Sequence, residues 1–373
     1  LPTERKARTR GRSTGLEARL VEAVTKHGPK NISLLSRVTG AHPETVRYKV
    51  KRQFRKFGFK IYSEPDLARI GLTRYLADLR LSPKYSSSAG SVMKALGEAA
   101  YLTYYARVVP QGHYSCVFEL PPDSGEDHFT FLEHLQKSGV LKSFTLQRVK
   151  VSRRRSINPQ HFNFRSGRWA IDWQRLRSEQ PRQLAEQQAH QTPQADMYDL
   201  MLVAEFQRNP MAHVVRVAKQ LSVHQKTLEY HFRAHVQRLK LIPEFTVRWF
   251  PEVEKPAKAT HPAIVSLTFR DLSQDFRAVQ QAVSKLPYLW TEDLLQDGTY
   301  AVKATMPAAD TAPALSFVGE AAPDLYGRVD VGFVRRGEEA ILPIPSWLYK
   351  EGWHYDLDAV KSGFSKSLKA GGS

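Results

Sequence analysis

The segment TVRYKVKRQFRKF at 45–57 recurs as TLEYHFRAHVQRL at 227–239. Thr45 aligns with Thr227 and Tyr48 with Tyr230, while Val46, Val50, Phe54 and Phe57 align with Leu228, Phe232, Val236 and Leu239. Internal self-similarity confines a chain to folds that use one unit more than once. A second match sets GHYSCVFELP at 112–121 against GTYAVKATMP at 298–307, with Gly, Tyr and Pro at the same spacing. A weaker third pairs GRWAID at 167–172 with GWHYD at 352–356. The 373 residues, too many for one ordinary core, therefore read as two copies, roughly 15–172 and 195–356.

Each copy has the same coarse order. The repeated positions i, i+4, i+8 and i+11 lay one apolar stripe along a helix. In copy one, two shorter helical stretches and the turn TGAH precede that helix, and GFKIYS follows as a short strand. This is the pattern of a winged helix-turn-helix. The remainder alternates as β-α-β-β-α-β, the order of a ferredoxin-like sandwich. The expected fold class is α+β: two copies of a winged helix-turn-helix followed by a ferredoxin-like βαββαβ sandwich. The expected division is a basic disordered tail at 1–14, helix-turn-helix domains at 15–64 and 195–250, and ferredoxin-like domains with C-terminal extensions at 70–172 and 260–358. A linker is expected at 173–194 and a flexible tail at 359–373. Trp169, Trp173, Trp347 and Trp353 are expected to cap the sandwiches.

Charge is one-sided. Residues 1–190 hold 34 Lys and Arg against 16 Asp and Glu, and the remaining residues balance at 21 of each. Such asymmetry points to a polyanionic partner for the first half. On the helix of copy one, Thr45, Arg47, Tyr48, Lys49, Lys51, Arg52, Arg55 and Lys56 lie off the apolar stripe, and Lys60 follows. A major groove accepts one such helix, with Arg reading guanine and Lys holding phosphates. Arg5, Lys6, Arg8, Arg10 and Arg12 of the tail are expected to add backbone or minor-groove contacts. Copy two keeps the stripe but loses charge, so Lys226, Arg233 and Arg238 are expected as accessory contacts, together with Arg153, Arg154 and Arg155 in RVKVSRRR.

Other chemistry has little support in the sequence. The one cysteine, Cys116, makes no intrachain disulfide and reads as core, in keeping with a reducing cytoplasm. No apolar run is long enough for a membrane span, and the first residues lack the apolar region of a secretory signal. No nucleotide-loop or hydrolase motif is present. His231 and His235 stand at i,i+4, a spacing that can bind metal, but no third ligand is evident nearby. The acidic run Asp123, Glu126 and Asp127 reads as a helix N-terminus. Neither a cofactor nor a metal is expected, and the chain is expected not to be an enzyme.

LSRVTGAHPETVRYKVKRQF resembles the recognition segment of the Lrp/AsnC (feast/famine) regulators of bacteria and archaea, and LPYLWTEDLLQDGTYAVKATM resembles their strand–Gly–strand stretch. His113 and Thr299 stand where that family usually carries an acidic residue. The resemblance implies pairing through ferredoxin-like domains, here within one chain as a pseudo-dimer, with higher oligomers possible and winged helices at the two ends. The resulting expectation is a cytoplasmic, nucleoid-associated transcription regulator whose partner is double-stranded DNA. RNA polymerase and RNA are left open as further partners. The rival is an architectural chromosome protein, or a factor on RNA polymerase or the ribosome without sequence specificity.

Overall fold

The structure, a computed structural model, describes residues 15–182, 195–251, 262–322 and 324–371. The tail cations Arg5, Lys6, Arg8, Arg10 and Arg12 lie outside the described residues, as does the linker from 183 to 194.

Helices Leu16–His27 and Ile32–Thr39 precede a continuous helical stretch at 43–57, which passes through a π-helical turn at Lys49–Gln53. His42 and Pro43 start that stretch, with Pro at a position where its missing N–H costs nothing. Val46, Val50 and Phe54 are buried against Leu20, Val21, Val24 and Leu35. Gly58 ends the stretch in the left-handed region at φ 77°. A Cβ there would fall 2.4 Å from Pro251 Cα. Gly58→Ala is therefore expected to destabilise by about 2–5 kcal/mol, combining left-handed strain with a backbone clash. Urea unfolding measures it, and a loss under about 1 kcal/mol would mean the Pro251 segment yields freely.

The strands follow. They are β1 (Phe59–Glu64), β2 (Thr73–Leu81), β3 (Leu102–Val109), β4 (Tyr114–Leu120), β5 (Leu141–Arg154), the two-residue β6 (Phe162–Asn163) and β7 (Arg168–Trp169), β8 (Glu244–Trp249), β9 (Pro262–Phe269), β10 (Leu289–Leu295), β11 (Tyr300–Pro307) and β12 (Val329–Ile341). Eight of them close into one barrel in the order β10-β11-β9-β12-β3-β4-β2-β5. Each half contributes four neighbouring strands, β5-β2-β4-β3 and β12-β9-β11-β10. The long strands β5 and β12 bridge the halves: Thr291 of β10 pairs with Arg154 of β5, and Phe333 of β12 pairs with Val109 of β3.

This corrects the expected fold class. A pseudo-dimer of two ferredoxin-like sandwiches, each behind its own winged helix-turn-helix, gives way to a single eight-stranded barrel. The physical reason is edge pairing. An isolated four-stranded sheet exposes two rows of unpaired backbone groups, and closure removes them. Period-two alternation then sorts the side chains. On β2, Tyr75, Ala77 and Leu79 face helices Ala89–Ala99 and Gly125–Lys137, while Arg74, Asp78 and Arg80 line the interior. On β11, Tyr300, Val302, Ala304 and Met306 face helices Phe276–Lys285 and Thr311–Gly319, while Lys303 points inward.

The helical domains do not sit at opposite ends as expected. β1 and β8 pair antiparallel, Phe59 opposite Trp249 and Glu64 opposite Glu244. Lys30 Nζ lies 3.5 Å from the ring centroid of Phe206, a further contact between the halves. Nor do the tryptophans simply cap sandwiches. Trp169 packs into the first helical core beside Phe162 and Trp249, and Trp353 joins the second beside Tyr349, its Nε1 donating to Ile70 O at 2.6 Å. Trp173 packs on Phe317, and Trp347 stays 49% exposed. The expected flexible tail is instead mostly helix, Leu357–Ala370, with Val360 and Phe364 buried in the first-half core. Among the described residues no helix is long and apolar enough to cross a membrane.

Candidate functional site

Many inward-facing residues of the barrel are polar, beside an apolar group of Ala106, Ile264, Trp290 and Val334, and at the end facing the β1–β8 ribbon the polar ones converge. A cavity of about 70 Å³ is lined there by Glu64 from β1, Arg248 from β8, Arg74 from β2, Tyr104 from β3, Glu119 from β4, Arg154 from β5, Thr291 and Asp293 from β10, and Lys303 from β11. Thr291, Asp293 and Lys303 also line a larger lumen of about 390 Å³, with Asp78, Arg80, His113 and Arg270. That volume is within the usual range for small-molecule sites.

The charges form a network. Arg74 donates to Glu119 at 2.6 Å and to Ser152 Oγ at 2.7 Å, and Ser152 donates to Asp293. Glu64 accepts from Arg248 and Thr246, and Arg154 Nε lies 3.8 Å from it. Lys303 Nζ sits 4.8 Å from the Tyr104 ring centroid. Four cations, Arg74, Arg154, Arg248 and Lys303, therefore face three carboxylates, Glu64, Glu119 and Asp293. Among the described residues, five buried atoms on this lining have no hydrogen-bond partner: Arg74 Nε, Tyr104 OH, Glu119 Oε2, Arg248 Nε and Thr291 Oγ1. Unmet buried polar groups are costly and rare. Their convergence on one cavity makes it the candidate site for a polar ligand.

Burial shifts these groups. It lowers Arg154 to about 10, helped by the like charge of Arg74, and it lowers Lys303 despite the attraction of Asp293. Burial also raises the Tyr104 hydroxyl. It works against ionised Glu64, but the guanidiniums of Arg248 and Arg154 outweigh it and hold that carboxyl below its usual range.

A second constellation lies in the second helical domain. Asp196 and Asp199 cap helix Met197–Arg208 reciprocally, each side chain accepting the other's backbone N–H. Asp199, fully buried, meets His231 Nδ1 at 3.0 Å through Oδ1 and His235 Nδ1 at 2.8 Å through Oδ2. Asp196 Oδ2 lies 3.4 Å from His231 Nδ1. The histidines stand on the π-helical segment His231–Gln237. The expectation that no further ligand stands near them is corrected: helix packing brings two carboxylates from more than thirty residues upstream.

The predicted nucleic-acid contacts stand mostly on the two repeated helices and outside both constellations. Thr45, Arg47, Tyr48, Lys51, Arg52, Arg55, Lys56 and Lys60 are exposed, with Arg47 paired to Glu44. Lys49 is half-buried and bonds Glu17 at 2.6 Å. Lys226, Arg233 and Arg238 are exposed on the second domain. The basic run at 153–155 is not an outward patch. Arg154 enters the cavity, and Arg155 bonds the buried Glu292 at 2.6 Å, because β5 pairs with the acid-bearing β10. Sequence reasoning missed Glu64, Arg74, Tyr104, Glu119, Arg248, Asp293 and Lys303. The available signal was the recurrence of charged residues at alternate strand positions, where a sheet with one wet face would have sufficed.

No protein-family model matches the chain, and no curated protein matches it. Among solved structures it is similar to the siroheme decarboxylase NirDL, with a TM-score of 0.52 and 11% identity over 95% of this chain and 99% of that one. NirDL in complex with an iron-uroporphyrin III analogue gives a TM-score of 0.51 at 11% identity, with the same coverage. At this identity the likeness is one of fold. It overturns the Lrp/AsnC assignment and, with the His/Asp cluster, the reading as a DNA-binding regulator that is not an enzyme. The partners expected with that reading, double-stranded DNA, RNA polymerase and RNA, fall with it. The whole two-unit chain shares its architecture with that siroheme decarboxylase, and five unsatisfied buried polar atoms line one cavity at the barrel's end.

Proposed function

We propose that this chain is an enzyme that binds a carboxylate-bearing tetrapyrrole in the barrel and removes carbon dioxide from one of its side chains. The observation that carries this reading is the end cavity, where Arg74, Arg154, Arg248 and Lys303 meet five unpartnered buried polar atoms. Guanidinium groups suit planar carboxylates. The small cavity has room for one carboxylate arm, and the adjoining lumen for more of the ligand. The substrate class comes from the similar fold, whose bearer is a siroheme decarboxylase crystallised with an iron-uroporphyrin III analogue.

The chemistry is a replacement of carbon dioxide by a proton. The arginines hold the carboxylate in a water-poor pocket. The bond between the carboxylate carbon and its neighbour breaks, carbon dioxide leaves, and the electron pair stays on the remaining carbon. That carbon takes a proton from the Lys303 ammonium, which desolvation has made a readier donor. Lysine then recovers its proton from solvent.

Incubation of the purified chain with siroheme and with iron-uroporphyrin III tests this directly. Saturable changes in the absorption spectrum report binding, and mass spectrometry reports products lighter by carbon dioxide. Binding with product formation is expected. Binding alone would remove the decarboxylation, and no binding of either compound would remove the whole reading.

A further inference from the structure

The two halves place comparable residues at the junction between the first helix and the repeated helix, but solve its electrostatics differently. Glu17, Lys49 and Gln53 of the first half and Asp199, His231 and His235 of the second are each separated by the interval that separates Thr45 from Thr227. In the first half, Lys49 Nζ bonds Glu17 at 2.6 Å and Gln53 Oε1 at 2.8 Å, so an ammonium sits at the centre of the cluster. In the second half the carboxylate is more deeply buried, at 0% side-chain exposure against 19%, and the lysine is gone. Two imidazoles and a second carboxylate, Asp196, surround the same place.

We propose that Asp196, Asp199, His231 and His235 form a binding site for one divalent transition-metal ion of the zinc type, which supplies the charge that Lys49 supplies in the first half. The four donor atoms lie within 4.8 Å of one another. A tetrahedral ion with bonds of about 2.0–2.1 Å separates its ligands by about 3.3 Å. The observed 3.0 Å between His231 Nδ1 and Asp199 Oδ1, and 3.4 Å from the same nitrogen to Asp196 Oδ2, bracket that value. The 2.8 Å from His235 Nδ1 to Asp199 Oδ2 needs a small opening, available because His235 and Asp196 are partly exposed. Two imidazoles with two carboxylates favour zinc or cobalt over magnesium or calcium, which prefer all-oxygen shells. The rings of Tyr198 and Tyr230 flank His231 at 5.1 and 5.5 Å, giving the site an aromatic wall. The site stands apart from the barrel-end cavity. Asp199 is eight residues from Gln207, which lines the barrel-end cavity, so about 12 Å of helix separates them. The ion would tie the start of one helix to the middle of another, whatever the barrel binds.

The chelator-treated protein titrated with Zn²⁺, and separately with Co²⁺, provides the test. One equivalent of zinc is expected, with a rise in melting temperature, and the cobalt form should show visible absorption of a tetrahedral N/O site. His235→Gln keeps a neutral polar side chain at a partly exposed position, and should weaken zinc binding at least about 100-fold, the upper end of what loss of an outer partner costs. Asp199→Asn serves as a second variant, and circular dichroism verifies that each is folded. No zinc binding by the wild type, or unchanged binding by both folded variants, would overturn the proposal.

Discussion

Glu64→Ala should lower folding stability by about 3–5 kcal/mol, the usual cost of stranding a buried charge. Glu64 ends β1, and its side chain is 13% exposed. It faces Arg248 of β8, 6% exposed, and Arg154 of β5, 18% exposed. One carboxylate thus joins both wings to the barrel, and its removal leaves two guanidiniums facing each other across a cavity that already holds Arg74 and Lys303. The wild type should also show the matching pH dependence. Its carboxyl ionises below the usual range when folded, so the stabilisation is fully present above the unfolded value of about 4.3 and is lost as pH falls through the depressed folded value. Urea unfolding of both proteins at neutral pH and at several acidic values measures both effects. A loss under about 1 kcal/mol, or acid sensitivity unchanged in the variant, would show that water reaches Arg154 and Arg248 well enough to replace the carboxylate.

The second large effect is catalytic. With the proposed tetrapyrrole substrate, Lys303→Met should slow single-turnover release of carbon dioxide by about 10²–10⁴-fold, the range for loss of a positioned proton donor. Lys303 is 6% exposed, stands on β11, and lines both the end cavity and the lumen. Methionine keeps the length and apolar contacts of the stem while removing the ammonium. Substrate affinity should fall much less, because Arg74, Arg154 and Arg248 remain. Rapid-quench product analysis with a spectroscopic binding titration separates the two. A variant that binds weakly but turns over normally once saturated would assign Lys303 to binding and remove it as the donor.

Several features of this architecture are readable in the chain. The stripe of Val46, Val50 and Phe54 is buried where helical periodicity puts it. The alternation of Tyr75, Ala77 and Leu79 with Arg74, Asp78 and Arg80 marks a strand with one apolar and one polar face. The polar face does not say what it meets. Solvent, a second sheet and a lumen all accept the same alternation, so from sequence the cationic excess reads as outward, on the helix at 43–57 and at Arg153, Arg154 and Arg155. The barrel turns two of those three arginines toward Glu64 and Glu292.

The sequence by itself determined the two-unit repeat, the apolar stripes of its helices and the strand faces that pack against them, because these are periodic signals between near neighbours. Only the tertiary structure decided that the strands close into one barrel, that Glu64 meets Arg154 and Arg248, and that Asp199 meets His231 and His235. Those contacts join distant stretches of chain. Their geometry is set by which strand edges pair and how helices cross, and no local periodicity encodes either.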